Sequence, residues 1–369
     1  MTTDGPQIRA EHIGSLLRPK ELTRAFRNYQ ANELNESEFR DIQDHAIREV
    51  VRLQQSVGLK VIGDGEFRRS SYWAHWVKAI NGLDVAPALF KFHDDTGVEL
   101  EFIAANCVAK LNKTAPISTK EFEFLKTTTS GIIKITMPSP STLHFWRLDQ
   151  TFEESEYSSD EEYMADLCTI YRQEIADLAR LGCTYVQLDE VPLIMLANAA
   201  IREQVVEFGK NPDKLIDLYI WALNEAISAR PANMTIGMHI CRGNFKGKWL
   251  TQGGYETIAE RVFGQVGVDV FCLEFDTERA GGFQALRFVP RGKKVVLGLI
   301  STKVPDLEDP ADLCARIEEA TQYVPLADLR ISPQCGFAST VSGNPITLND
   351  EVNKLQLVVD TAKKVWGEL

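Results

Sequence analysis

Eight short β-branched runs punctuate this sequence, and a longer amphipathic stretch follows nearly every one. The runs fall at 8–13, 60–62, 132–136, 185–188, 235–240, 268–275, 294–300 and 329–332. Between them, apolar residues recur at helical spacing. Phe39, Ile42, Ala46, Val50 and Leu53 share one face of a helix expected over 36–57. Met164, Leu167, Tyr171, Ile175 and Leu178 do the same over 160–181. Gly58 and Gly182 follow where a left-handed cap is wanted. Further helices are expected over 214–229, 255–263, 311–322 and 350–366. Strands alternating with helices predict an α/β chain folded as a (β/α)8 TIM barrel, because parallel strands need crossover helices. One such domain, spanning 1–369, fits the length, since a barrel takes about 250 residues plus loops. An open doubly wound sheet is the alternative, but its glycine-rich first loop is missing. The rhythm breaks at about 68–130, which carries Pro87 and Pro116 and reads as an insertion, an elaborated loop after the second strand.

Charge narrows the partners. Forty Lys and Arg against 52 Asp and Glu leave a net charge of −12, which repels a phosphate backbone and argues against nucleic acid. No run reaches the roughly 18 apolar residues that a membrane span needs. The opening Met1-Thr2-Thr3-Asp4-Gly5-Pro6 has neither a basic region nor an apolar run, so no secretory leader is expected. Seven scattered cysteines suit free or metal-bound thiols in a reducing cytoplasm.

In such a barrel, chemistry collects where strands end. One run ends Met238-His239-Ile240-Cys241, and residues two apart on a strand point the same way. Imidazole and thiolate on one face make a zinc-ligand pair, although a core histidine beside a buried thiol gives the same pattern. Glu274 ends the next run, and Cys335 follows the last. His239, Cys241, Glu274 and Cys335 would form a four-ligand site drawn from three strand ends. Cys272 lies two residues before Glu274 on the same face, and spacing leaves it open as a rival. Cys107, Cys168, Cys183 and Cys314 read as small hydrophobes. Glu66 and Asp189 also stand at strand ends, where a buried acid needs a cation. That cation is Arg68 or Arg69, or an ammonium-bearing substrate. Gly14 after the first run gives a ligand access to the backbone.

At these residues the sequence resembles the C-terminal catalytic barrel of cobalamin-independent methionine synthase, especially its short single-domain relatives. The resemblance rests on Ile13-Gly14-Ser15, Gly65-Glu66, Trp146 in Pro140-Ser141-Thr142-Leu143-His144-Phe145-Trp146, Leu188-Asp189-Glu190, His239-Ile240-Cys241, Glu274 and Cys335-Gly336. These run in order over nearly the whole chain. The resemblance implies zinc on His239, Cys241, Glu274 and Cys335, and so favours Glu274 over Cys272. It implies that Ile13, Gly14, Ser15, Glu66 and Asp189 hold homocysteine, with the acids on its ammonium, and that Trp146 lies near a folate. Three departures bear on the methyl donor. The family's full-length members carry a duplicated N-terminal half that is not present here. Met195 stands where a further binding glutamate is expected, and residues 301–308 contain no histidine where those members keep a proton donor. The proton donor is thus unassigned, and the expected methyl donor is not polyglutamyl folate but a small one, or one carried by a partner protein.

Zinc held by two thiolates and a carboxylate is a poor activator of water but suits a substrate thiol held as thiolate. The expected function is therefore zinc-dependent methyl transfer to homocysteine, giving methionine. Three alternatives differ in what they require. A transferase of the same fold acting on another thiol, of the epoxide-opening coenzyme M type, wants cations for a sulfonate. A zinc hydrolase wants more histidines around a metal-bound water. A non-catalytic protein with structural zinc wants closely spaced cysteine pairs.

Overall fold

The computed structural model describes residues 7–92, 97 and 99–367; the leader expectation for residues 1–6 lies outside them. The strands are β1 (Val61–Ile62), β2 (Ile80–Pro87), β3 (Ile103–Lys113), β4 (Ile132–Pro138), β5 (Tyr185–Glu190), β6 (Thr235–Ile240), β7 (Val270–Glu274), β8 (Lys294–Ile300) and β9 (Leu329–Pro333). Seven of them form a curled parallel sheet in the order β1-β4-β5-β6-β7-β8-β9. Strands β4 to β9 follow one another in space as in sequence, joined by helical crossovers. The expected helices form as Glu36–Val57, Asp160–Leu181, Pro212–Ile227, Glu256–Gln265, Pro310–Ala320 and Leu348–Trp366. Gly58 and Gly182 cap the first two in the left-handed conformation, at φ 98° and 94°. Burial of both strand faces explains the near-continuous apolar runs: β5 and β7 are buried at every position.

The first run departs from the expected regular strand. Residues 8–13 make one parallel bridge, Ala10 to Ile331, flanked by hydrogen bonds from Glu11 N to Ile331 O (3.1 Å) and from Ile331 N to Arg9 O (2.9 Å). Its next carbonyls are taken by side chains instead of a neighbouring strand. Lys134 Nζ donates to His12 O, and Gln187 Nε2 donates to Ile13 O at 2.6 Å. Lys134 also donates to Glu11 Oε2 at 3.1 Å, and Arg330 to Glu11 Oε1 at 3.0 Å. A polar knot inside the sheet therefore replaces a backbone ladder.

Residues 68–130 hold the helix Ala74–Ala79, the antiparallel pair β2–β3 and the helix Thr119–Thr128 before the chain rejoins the sheet at β4. Arg18 ties three loops together at the sheet's carboxyl end. Its Nη1 donates to Ala338 O and Thr340 O, both at 3.1 Å, and its Nη2 to Glu66 O and Arg69 O, both at 2.8 Å.

Glu351 holds the same region from below: Leu17 N donates to its Oε2 at 2.7 Å, while Oε1 is buried without a partner. Burial pushes this carboxyl up from 4.5 to about 8, against the pull of the Leu17 N–H. Between those two values the folded chain keeps a proton that the unfolded chain has released, so stability falls as pH rises through the window. Glu351→Gln keeps an acceptor for Leu17 N and removes the charge. It should stabilise the protein by up to about 4 kcal/mol at pH 8.5 and by little at pH 5. Urea unfolding at both pH values measures this; an equal effect at both would show that the native carboxyl is already ionised.

Candidate active site

The carboxyl ends of β6 and β7 and the loop after β9 converge. His239 sits on β6 and Cys241 one residue past its end, Glu274 closes β7, and Cys335 lies two residues past β9. Their ligand atoms all lie within 4.8 Å of one another, and all four residues are buried. The sulfurs of Cys241 and Cys335 are 3.4 Å apart. That is too long for a disulfide, whose sulfurs sit at about 2.05 Å. It is close to the roughly 3.8 Å edge of a tetrahedron with metal–sulfur bonds of about 2.3 Å.

The polar atoms left over point the same way. His239 Nδ1 lies 3.3 Å from the Cys272 carbonyl, which can only accept, so Nδ1 carries the proton and Nε2 is left as a lone-pair donor. Glu274 Oε1 accepts from Arg242 N at 2.8 Å. Both His239 Nε2 and Glu274 Oε2 are buried without a hydrogen-bond partner. Buried polar atoms are rarely left unpaired, and a cation between these two would satisfy both. Cys335 is held well below the ordinary thiol range, first by its hydrogen bond with Cys241 and further by the neighbouring His239 and Lys303, against the opposing effect of burial. Two sulfurs, one imidazole nitrogen and one carboxylate oxygen suit zinc. Cys272, the rival from spacing, is not in the group. It packs inside the sheet with Ile13, Val270 and Val296, and burial pushes its thiol up.

Above the cluster opens a cavity of about 710 Å³. Ile13, Gly14, Ser15, Glu66, Trp146 and Asp189 all line it, as do His239, Cys241 and Cys335; Glu274 sits behind them. Glu66 has φ 62°, a left-handed conformation that costs a non-glycine residue energy and aims its carboxylate. Its Oε1 accepts from Thr136 Oγ1 at 2.8 Å, whereas Oε2 is buried without a partner. The room at Gly14 serves this carboxylate, since a Cβ there would lie 2.8 Å from Glu66 Oε1. The arginines expected as partners are mostly engaged elsewhere. Arg68 pairs with Asp44, and Arg69 clamps Glu121 at 2.6 and 3.0 Å while passing Glu66 at 3.6 Å. Asp189 Oδ1 accepts from Gln187 Nε2 at 2.7 Å. Burial, then the charge of Glu66, pushes the Asp189 carboxyl up, so a cation between the two acids would relieve both.

Of the upper wall, sequence reasoning singled out Trp146 alone. Phe92 and Phe102 come from the segment joining β2 to β3, and Trp146 and Phe245 complete an aromatic box with ring centroids 5.1 to 5.4 Å apart. Rings interleaved in the 68–130 segment were the available signal, but only the tertiary fold brings them over the strand ends. Met195, by contrast, is buried in the short helix Pro192–Met195 and does not line the cavity; Val191 does.

Fold and site together define a class: α/β proteins whose parallel sheet gathers thiol, imidazole and carboxylate donors at its carboxyl end, beneath a cavity with two buried acids. Within that class, the chain belongs to the cobalamin-independent methionine synthase family. Residues 9–364 match the family described as "Cobalamin-independent synthase, Catalytic domain". An uncharacterized Bacillus subtilis protein, YxjH, is 36% identical over 97% of this chain and 95% of its own length. A methionine synthase of Pyrococcus abyssi is 26% identical over 90% of this chain and 87% of its own. The crystal structure of a putative vitamin-B12 independent methionine synthase from Listeria monocytogenes superposes with a TM-score of 0.77, at 34% identity and 98% coverage of both chains.

Proposed function

We propose that this protein is a zinc-dependent thiol methyltransferase that converts homocysteine to methionine, with a methyl donor other than polyglutamyl folate. One observation carries the reading: His239 Nε2, Cys241, Cys335 and Glu274 Oε2 converge at the floor of a cavity that also presents two buried acids. Zinc on these four donors would keep a substrate thiol ionised at neutral pH, where a free thiol is only a few per cent thiolate. Glu66 and Asp189 would take the substrate ammonium and orient the sulfur toward the metal ligands. Gly14 and Ser15 close the floor beside them, and the aromatic box receives the donor. Its rings exclude water and can pack a flat or apolar methyl carrier.

The donor assignment rests on charge and on the missing acid. Apart from the ligand candidate His239, Lys78 is the one basic side chain among the described residues lining the cavity, against Glu66, Glu101 and Asp189. A polyglutamate tail finds little there to pair with. The loop after β8, 301–308, also offers no histidine to protonate a folate nitrogen as it leaves. A small donor, or one delivered by a partner protein, avoids both difficulties. The same acids disfavour a sulfonate-bearing thiol as acceptor.

The test is product analysis with homocysteine and a panel of donors: triglutamyl methyl-folate, methylcobalamin and simple methyl donors. Methionine should form with a donor other than the folate. Folate turnover with kcat/KM at or above roughly 10⁴ M⁻¹s⁻¹ would refute the donor assignment. No methionine with any donor, together with no homocysteine binding, would refute the reaction.

A further inference from the structure

The loop after β8 carries a group that the reading above leaves unused. Lys303 is 8% exposed, and its Nζ is buried without a hydrogen-bond partner. An ammonium taken out of water and left unpaired is costly, so it persists where anions face it. The residue before it is bolted to both neighbours of Cys335. Thr302 N donates to Gln334 Oε1 at 2.6 Å, Gln334 Nε2 donates back to Thr302 Oγ1 at 3.1 Å, and Thr302 Oγ1 donates to Gly336 O at 3.1 Å. Asn344 Nδ2 fixes Thr302 O at 3.0 Å, and Asn244, three residues past Cys241, donates to Gly336 O at 2.6 Å. These bonds hold the loop that carries Lys303 against the segment that carries Cys335, so the buried ammonium stands on the sulfur side of the cluster.

A second buried cation stands on the Glu274 side. Arg242 is fully buried, with its guanidinium 4.4 Å from the Tyr255 ring centroid and its Nε and Nη1 unpartnered. Charge counting gives the pair a purpose. Two thiolates and a carboxylate around a divalent ion leave one negative charge, and a substrate thiolate makes it two. Lys303 and Arg242 supply two positive charges.

The geometry points to Lys303 as a positioning residue for the methyl transfer: its ammonium is the counter-ion that lets the metal centre accept a third sulfur anion. The inference rests on the zinc-thiol reading above. It predicts a difference between two ligands with the same amino-acid end, homocysteine, which binds as an anion, and methionine, whose sulfur is neutral.

Native protein, Lys303→Met, Lys303→Gln and Lys303→Arg are loaded with cobalt as a spectroscopic substitute for zinc. Homocysteine uptake is followed by the sulfur-to-metal charge-transfer band across pH, and methionine binding by calorimetry. Each neutral variant should weaken homocysteine about tenfold and raise the pH of half-coordination by about one unit, equivalent changes for an anionic ligand. Methionine should change less than threefold, and Lys303→Arg should stay near native for both. Equal losses of both ligands, or no loss of homocysteine, would overturn the counter-ion role. The two neutral variants differ in polarity, so failure of one to fold leaves the other decisive. If neither folds, Lys303→Arg alone decides: homocysteine weakened tenfold despite a retained charge overturns the role, and near-native uptake supports it. Native protein that takes up neither cobalt nor zinc would overturn the metal centre itself, and this inference with it.

Discussion

Cys335→Ser should lose most of its zinc and more than about 100-fold of its methyl-transfer activity, the loss that removing a mere outer-shell partner typically brings. The serine oxygen is harder than the thiolate and is not ionised at neutral pH, so the site loses a charge as well as a soft donor. Cys241→Ser should behave alike, and Glu274→Gln should fall between them and native, since Glu274 gives one oxygen and keeps the other on Arg242 N. Cys107→Ser and Cys314→Ser serve as controls, being outside the cluster. Elemental analysis of dialysed protein reads the result. Full zinc retention in Cys335→Ser would remove the metal site as drawn.

Glu66→Gln and Asp189→Asn should each raise the KM for homocysteine by roughly 10- to 150-fold, the loss of about 1.5–3 kcal/mol that accompanies a hydrogen bond to a charged group. Zinc content should stay near native, because neither residue is among the four ligands. The two differ in what they leave behind. Glu66 Oε2 has no hydrogen-bond partner among the described residues, so its contribution goes to the ligand. Asp189 shares Oδ1 with Gln187 Nε2, so Asn must keep its oxygen there and turn its amide to the substrate ammonium, adding repulsion. Asp189→Asn should therefore be the more damaging variant. A Glu66→Gln enzyme with native KM and reduced kcat would move Glu66 from binding the amino acid to another role.

Much of this protein is written locally. The alternation of β-branched runs and amphipathic stretches determined a parallel sheet with crossover helices, because each short segment carries its own periodicity and its own caps. His239 and Cys241 share a face through strand geometry alone, and Glu274 and Cys335 stand at strand ends by the same rhythm. Neighbouring β6 and β7 pair His239 with Cys272, and that register put Glu274, not Cys272, at the rim. Spacing cannot supply such a choice, since register is a long-range property. The same holds for the first run. Its β-branched pattern reads as a strand, but Lys134 and Gln187, more than 120 residues away, take its carbonyls. Nothing local marks Lys303 as buried and unpartnered, or brings Phe92 and Phe102 over the strand ends. Those placements depend on which loops pack together once the sheet has formed, and burial then converts an ordinary lysine or an ordinary glutamate into a group that must find a ligand.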